Sequence, residues 1–266
     1  MRKRVGFIGV GAMGGALLKG LLDSGVTPEN IVIADDNADK LQQVADTYQI
    51  SHGDVRGVAE TADVIFLAVK PQDMAGLLAQ MSPIMQSGQV VVSVAAGVTI
   101  DQIEQSFVET IGVIRVMPNT PCLIGEGVMA MSAGQHVPDE VMHTVESWLQ
   151  KLGLVHRVPE KLLDAVTGVS GSGPAYVYLM IEALADGGVM SGLPRAMAQL
   201  LAVQTLVGAA KMVEVSGQHP AILREMVTSP GGTTAAALFE FEQGGFRGLV
   251  QKAVQAATER SKEMGI

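Results

Sequence analysis

Three glycines near the start of the chain stand at the spacing G-x-G-x-x-G, in the run Gly9-Val10-Gly11-Ala12-Met13-Gly14. The chemistry such a spacing serves is the binding of a diphosphate. The first glycine permits a tight turn, the second lets backbone approach a pyrophosphate, and the third lets a helix pack closely on a strand. The phosphates then lie at a helix N-terminus, where unpaired N–H groups and the helix dipole favour negative charge. Glycine-rich turns also arise simply to redirect the chain, so the flanking sequence decides. Here an apolar run over residues 4–9 leads into the turn as a strand, and residues 12–24 leave it with helical spacing. The next strand, Ile31–Ala34, ends at an acid, Asp35. A carboxylate at that place accepts hydrogen bonds from the ribose hydroxyls of NAD and repels the 2′-phosphate of NADP. No basic residue follows until Lys40, so no phosphate clamp is evident and NADH is expected ahead of NADPH. The competing reading is that Asp35, Asp36 and Asn37 only begin the following helix as caps.

Three further strand-like runs end in loops of small or rigid residues. Residues 64–69 lead into Ala68-Val69-Lys70-Pro71, residues 90–94 into Ala95-Ala96-Gly97, and residues 113–117 into Met117-Pro118-Asn119-Thr120-Pro121. In open parallel sheets, ligands bind outside the carboxyl ends of the strands. Small residues let a flat nicotinamide lie against backbone, and the two prolines fix the shape of the loop that carries Asn119. Ordinary turn chemistry explains each loop singly; their common edge favours a binding role.

In the second half, Ser170-Gly171-Ser172-Gly173-Pro174-Ala175 and Ser229-Pro230-Gly231-Gly232-Thr233-Thr234 each precede a helix. Successive small residues at a helix N-terminus expose N–H groups to a carboxylate or phosphate. A tight interhelical turn with Ser or Thr capping remains the alternative for either segment. The five histidines, His52, His136, His143, His156 and His219, make no metal-type pair, and no metal is expected. The absence of a G-x-S-x-G elbow argues against a hydrolase triad.

The elements that must carry these residues divide the chain. Runs apolar on both faces, alternating with helical stretches, indicate an α/β region with a doubly wound parallel sheet over residues 1–160. After that, strand-like runs vanish. Residues 175–190, 195–215, 233–242 and 246–264 have helical patterns, so an all-α domain is expected over 161–266. Hydrophobic residues make up 48% and aromatics only 4%, a mixture suited to close helix packing. The stretch 196–210 is apolar nearly all round, interrupted by Gln199, Gln204 and Thr205. It reads as a buried helix, too short to span a bilayer. About 100 residues of helix hold limited core of their own, so a subunit partner packing against them is expected.

Net charge is −9 with scattered lysines and arginines, which excludes nucleic acid as a main partner. The single cysteine, Cys122, excludes an intramolecular disulfide. The opening Met-Arg-Lys-Arg meets a glycine-broken apolar run too early for a signal-peptide core. A soluble, cytoplasmic protein that binds no membrane is expected.

Taken in order along the chain, the motifs resemble those of the pyrroline-5-carboxylate reductases. The matching stretches are Phe7-Ile8-Gly9, Leu67 to Pro71, Val94-Ala95-Ala96-Gly97-Val98-Thr99, Met117 to Pro121, Asp164-Ala165-Val166-Thr167-Gly168, Ser170 to Ala175, and Glu225-Met226-Val227-Thr228 with the run Ser229 to Thr234. The resemblance implies a Rossmann-type domain followed by an all-α dimerisation domain, with homodimers that often assemble into rings. It implies hydride transfer from NADH or NADPH to C5 of 1-pyrroline-5-carboxylate, giving L-proline. It adds cofactor contacts at Ala68, Val69, Lys70, Pro71, Ala95, Ala96, Gly97 and Asn119 to those of the glycine turn. Ser229 and the N–H groups of Gly231, Gly232 and Thr233 would hold the substrate carboxylate. The Thr234 hydroxyl would stand near the ring nitrogen as the one catalytic side chain. Many relatives carry Asn-Arg or Ser/Thr-type residues where this chain has Asp35-Asp36, a departure that again points towards NADH. The rivals are a related reductase of another imine or of a β-hydroxyacid, with Lys161 or Lys211 as its lysine, and a non-catalytic dinucleotide sensor.

Overall fold

The computed structural model describes residues 3–264. Among these, eight strands form one sheet: β1 (Val5–Ile8), β2 (Ile31–Ala34), β3 (Ser51–His52), β4 (Val64–Leu67), β5 (Val90–Ser93), β6 (Gly112–Met117), β7 (Gly127–Ala133) and β8 (Gly153–Arg157). Their order is β3-β2-β1-β4-β5-β6-β7-β8. All neighbours are parallel except β6 and β7. The chain runs outward from β1 to β3, then restarts at β4 on the other side of β1. The order therefore reverses between β1 and β4, and a crevice opens there.

The central strands are continuous apolar runs because both faces are covered. Alternate residues divide between two cores. Phe7, Phe66 and Val92 face the helices α1 (Ala12–Asp23) and α6 (Asp139–Leu149). Ile65, Leu67 and Val91 face α3 (Val55–Thr61), α4 (Pro71–Met81) and α5 (Ile100–Glu104). The Phe7 and Phe66 rings stack with centroids 4.8 Å apart. A further helix, α2 (Ala38–Tyr48), contributes Leu41 and Ala45 to the first core.

The α/β sheet followed by helices is the expected fold class, with three added strands. β3 is two exposed residues, too short to leave a pattern. β7 is Gly-, Met- and Ala-rich and β8 is largely exposed, so neither has the β-branched apolar run of the centre. The fourth strand stops at Leu67 rather than Val69, which frees Ala68 and Val69 to form the loop beyond it.

Past a short helix, α7 (Leu163–Val166), the chain makes a π-turn at Thr167–Gly171. The described structure divides into two compact units, one up to Ser172 and again from Ala256, the other Gly173–Gln255. The second contains α8 (Gly173–Met190), α9 (Arg195–Ser216), α10 (Pro220–Met226), α11 (Thr233–Gln243) and the first part of α12 (Phe246–Met264). Its buried core is three alanines, Ala185, Ala198 and Ala202. A Cβ on Gly188 would lie 3.2 Å from that of Ala198, so α8 and α9 pack backbone to backbone through small residues. Leu179, Leu200, Leu201, Val207 and other large apolar residues of these helices are exposed in the single chain. The expectation for the 196–210 stretch is corrected twice: α9 has 22 residues, long and apolar enough by length and composition alone to cross a membrane, and it is mostly uncovered within one chain. An exposed apolar face of this kind marks an interaction surface, in keeping with the subunit partner expected from the sequence.

Glu104, at the end of α5, has its Oε1 buried with no hydrogen-bond partner among the described residues. Burial holds its carboxyl above the usual range; His136 opposes this, and Asp101 and Glu160 add to it. The folded state therefore binds the Glu104 proton more tightly than the unfolded chain does. That contribution to stability is complete below the ordinary value of 4.5 and is lost as pH rises through the folded value. Glu104→Gln should flatten the fall in Tm between acid and neutral pH and raise Tm at neutral pH, as measured by thermal melts across a pH series. A profile identical to that of the parent protein would remove Glu104 from this role.

Candidate functional site

The parallel strands bring the candidate loops to one edge. The glycine turn follows β1, Asp35 follows β2, and Ala68 to Pro71 follow β4. Ala95 to Gly97 follow β5, and Asn119 follows β6. Gly9 has φ +91° and donates its N–H to Ala34 O at 2.8 Å. A Cβ on Gly14 would stand 2.0 Å from Gly9 O, closer than any side chain can sit. This contact closes the turn against the start of α1 and leaves backbone, not side chain, facing the crevice.

Asp35 is half-buried and fastens the turn to β2. Its Oδ2 accepts from Val10 N at 2.7 Å and its Oδ1 from Asn37 N at 2.9 Å. The two readings of the Asp35-Asp36-Asn37 run separate here. Asn37 is the cap of α2, accepting from Lys40 N at 2.9 Å, while Asp35 stays at the mouth of the crevice.

The crevice has a volume of about 920 Å³ and is lined by Gly9, Gly11, Asp35, Ala68, Val69 and Lys70 of the expected residues. It is also lined by Asp36, Asn37, Gly53, Asp54, Gln72 and Gly76, which sequence reasoning missed. Gly53 and Asp54 follow β3, a strand without a pattern. Their one local signal is that Asp54 caps α3, accepting from Gly57 N at 2.8 Å. Ala12 and Met13 lie on the first turn of α1 with Gly14 buried beneath them, and Pro71 opens α4. Ala95 and Gly97 are buried at the same edge without lining the crevice, and Ala96 between them is half-buried. A turn that only glycine backbone can form, a crevice at the reversal of strand order, and an acid at the end of β2 together fit a dinucleotide.

Asn119 has a different occupation. Its side chain is buried, with Nδ2 donating to Ser170 O at 3.1 Å and Oδ1 accepting from Val128 N at 2.9 Å. It ties the loop after β6 to the π-turn. The Ser170 to Ala175 segment is consequently not an open helix N-terminus: Ser172 N is already bonded to Thr167 O at 2.8 Å. Insertions of this π kind are frequent at functional sites.

Arg115 on β6 is buried and pairs with Glu160 at 3.1 Å, with Asp164 3.9 Å away. Glu160 Oε1 also accepts from Ile100 N at 2.8 Å, at the end of the loop that begins with Ala95 to Gly97. Asp164 accepts from Ser261 Oγ at 2.7 Å. This network accounts for Asp164 in the 164–168 motif, and no sequence signal connects residues so far apart.

In the second unit, Gly232 N donates to Ser229 O at 3.0 Å. Pro230 and a left-handed Gly231 (φ +71°) occupy the centre of that turn, the chemistry of a type II turn. Helix α11 begins at Thr233 with no side-chain cap. Ala236 N is the first to bond back, to Gly232 O. The N–H groups of Thr233, Thr234 and Ala235 have no partner among the described residues, and Thr234 is half-buried. Lys211, weighed above as a catalytic lysine, is exposed and paired with Glu214 at 3.1 Å. Burial pushes the Cys122 thiol up, away from nucleophilic use.

A doubly wound sheet with this crevice, joined to a helical unit, defines a nicotinamide-dinucleotide-dependent oxidoreductase. Residues 4–97 match the family described as NADP oxidoreductase coenzyme F420-dependent, and residues 160–264 match Pyrroline-5-carboxylate reductase dimerisation. The pyrroline-5-carboxylate reductase of Synechocystis is 42% identical over 267 residues, covering 100% of this chain and 99% of that protein. The solved structure of a pyrroline-5-carboxylate reductase from Coxiella burnetii superposes with a TM-score of 0.92 at 35% identity, over 100% of both chains. That of the Plasmodium falciparum pyrroline carboxylate reductase with NADP bound gives 0.87 at 34%, over 99% of this chain and 98% of the other. The chain belongs to the pyrroline-5-carboxylate reductase family. Residues 160–264, which include α8 and α9, accordingly serve a homodimer.

Gly14→Ala should abolish measurable dinucleotide binding in an NADH fluorescence titration, because the methyl group and Gly9 O cannot both keep their places. Undiminished binding would show that the turn does not carry the diphosphate.

Proposed function

We propose that this chain reduces 1-pyrroline-5-carboxylate to L-proline. The observation that carries the reading is the turn at residues 229–234, with its open N–H groups at the start of α11, in a member of this family. The substrate is a cyclic imine bearing a carboxylate. The N–H groups of Gly231 and Thr233, with Ser229 beside them, hold the carboxylate at the positive end of an 11-residue helix, and Gly232, expected to join them, instead closes the turn by donating its own N–H to Ser229 O. The Thr234 hydroxyl hydrogen-bonds at the ring nitrogen. A reduced nicotinamide supplies the hydride when bound. C5 receives the hydride and the nitrogen a proton, so the C=N bond becomes CH–NH. A protonated imine is already electrophilic, so the protein's main contribution is to fix position. In this reading residues 1–160 bind the dinucleotide and residues 161–266 bind the substrate and the partner subunit. The cofactor contacts are Gly9, Gly11, Ala12, Met13 and Gly14 of the turn, Asp35, and the loops at Ala68 to Pro71 and Ala95 to Gly97, with Asn119 shaping the loop after β6 through its internal hydrogen bonds. Dimers associate further into a ring, and the enzyme works in the cytoplasm.

NADH is the proposed cofactor. Asp35, Asp36 and Asp54 crowd the adenosine end of the crevice with negative charge, which repels a 2′-phosphate. The test is oxidation of each reduced cofactor in the presence of pyrroline-5-carboxylate. Turnover with a higher kcat/KM for NADH is expected. A higher value for NADPH would overturn the preference, and no turnover with either would overturn the function.

Thr234→Ala should lower kcat/KM for pyrroline-5-carboxylate by roughly tenfold or more, with Thr234→Ser retaining most of it. Steady-state kinetics identical to those of the parent would take Thr234 out of the reaction.

A further inference from the structure

The acids that favour NADH create a difficulty for any dinucleotide. Asp35, Asp36, Asp54 and Asp73 all border the crevice, and among its lining residues Lys70 is the only cation. A pyrophosphate brings two more negative charges to this surface. The N–H groups of the turn and the dipole of α1 answer part of that charge, but they are partial charges at the end of a helix.

Lys40 lies in the first turn of α2, outside the glycine motif and not among the residues lining the crevice. Its backbone N–H is held by Asn37, which fixes where its stem begins. The side chain runs back over the turn, and its Nζ lies 3.6 Å from the point that a Cβ on Gly11 would occupy. Gly11 does line the crevice, and it is the glycine whose backbone comes closest to a pyrophosphate in this motif. Lys40 is half-buried. Among the described residues its ammonium makes no ion pair and no side-chain hydrogen bond, although Asp35 and Asp36 are close in sequence. An ammonium in acidic surroundings that pairs with none of the carboxylates, and instead sits over the second glycine, is available to an anion placed there. A lysine suits this place because it acts as a compact point charge on a flexible stem.

We propose that Lys40 is a phosphate contact for the bound dinucleotide. This rests on the crevice being the dinucleotide site but not on the choice between NADH and NADPH. Two phosphates are within its chemistry, the pyrophosphate common to both cofactors and the 2′-phosphate of NADPH. The experiment is steady-state kinetics of Lys40→Met and Lys40→Arg on the full-length enzyme, with each cofactor varied at saturating pyrroline-5-carboxylate. Loss of one charge-assisted contact should raise the cofactor KM of Lys40→Met about fivefold or more, with kcat and the KM for pyrroline-5-carboxylate little changed. A rise with both cofactors assigns the contact to the pyrophosphate, and a rise with NADPH alone assigns it to the 2′-phosphate. Lys40→Arg should recover most of the loss. The KM for NADH of the parent should also climb more steeply with added salt than that of Lys40→Met when the pyrophosphate is the partner. Cofactor KM values for Lys40→Met within about twofold of the parent with both NADH and NADPH would overturn the proposal. If Lys40→Met folds poorly, Lys40→Gln, which keeps a polar end without the charge, is read the same way. A parent protein that binds neither dinucleotide would instead refute the reading of the crevice itself, so the two failures are distinct.

Discussion

The contact between Gly14 and the carbonyl of Gly9 governs the cofactor half of the molecule. With 2.0 Å between that oxygen and the place of a missing Cβ, the turn closes only because there is no side chain at 14. Closing it has two effects. The first residues of α1 are brought directly against the end of β1, so that their unpaired N–H groups face the reversal point of the sheet. Val10 is also turned so that its N–H meets the Asp35 carboxylate. The acid at the end of β2 is thus both a structural clasp on the turn and a charged group at the mouth of the crevice. A substitution at Asp35 meant to change cofactor choice would loosen the turn as well, because each of its oxygens already accepts a backbone N–H.

What was legible in the sequence follows from how the two kinds of burial leave their marks. β1, β2, β4, β5 and β6 are buried on both faces, and a residue run that must be apolar everywhere is hard to mistake. The glycine turn was legible for the same reason in reverse, since its spacing is dictated by steric exclusion. β3 and β8 lie towards or at the sheet's edges and are largely exposed, so their composition is free. β7 pairs antiparallel to β6 through Ala130, Met131, Ser132 and Ala133, none of which is β-branched. The second wall of the crevice was missed because Gly53, Asp54, Gln72 and Gly76 are brought in by neighbouring elements rather than by a motif.

Side-chain roles were less legible than positions. Asn119 was expected from its loop to face the cofactor, and it does stand at the right edge. Both ends of its amide are nonetheless bonded within the protein, to Ser170 O and Val128 N. The Ser170 to Ala175 run had the composition of an anion-binding helix start, yet the preceding helix continues into it as a π-turn. Composition says that such N–H groups are easily exposed; only the path of the chain before them says whether they are. At residues 229–234 the path differs: a Pro-Gly turn ends before α11 begins, and the first N–H groups of that helix stay open.

The two units also differ in what makes them stable. The sheet unit buries two extensive apolar layers and needs nothing else to account for them. The helical unit buries three alanines and exposes leucines and valines along α8 and α9. Burial of apolar area is the main favourable contribution to folding, about 25 cal/mol per Å², and a pair of helices joined by alanines collects little of it alone. The residues that would complete its core are therefore those of a second copy. Folding of the helical unit and assembly of the dimer become one equilibrium, so the stability of this unit depends on protein concentration in a way the sheet's does not. The small residues that let α8 and α9 approach so closely serve the same end, because tight packing of the pair leaves the large side chains on the outer faces where a partner can bury them.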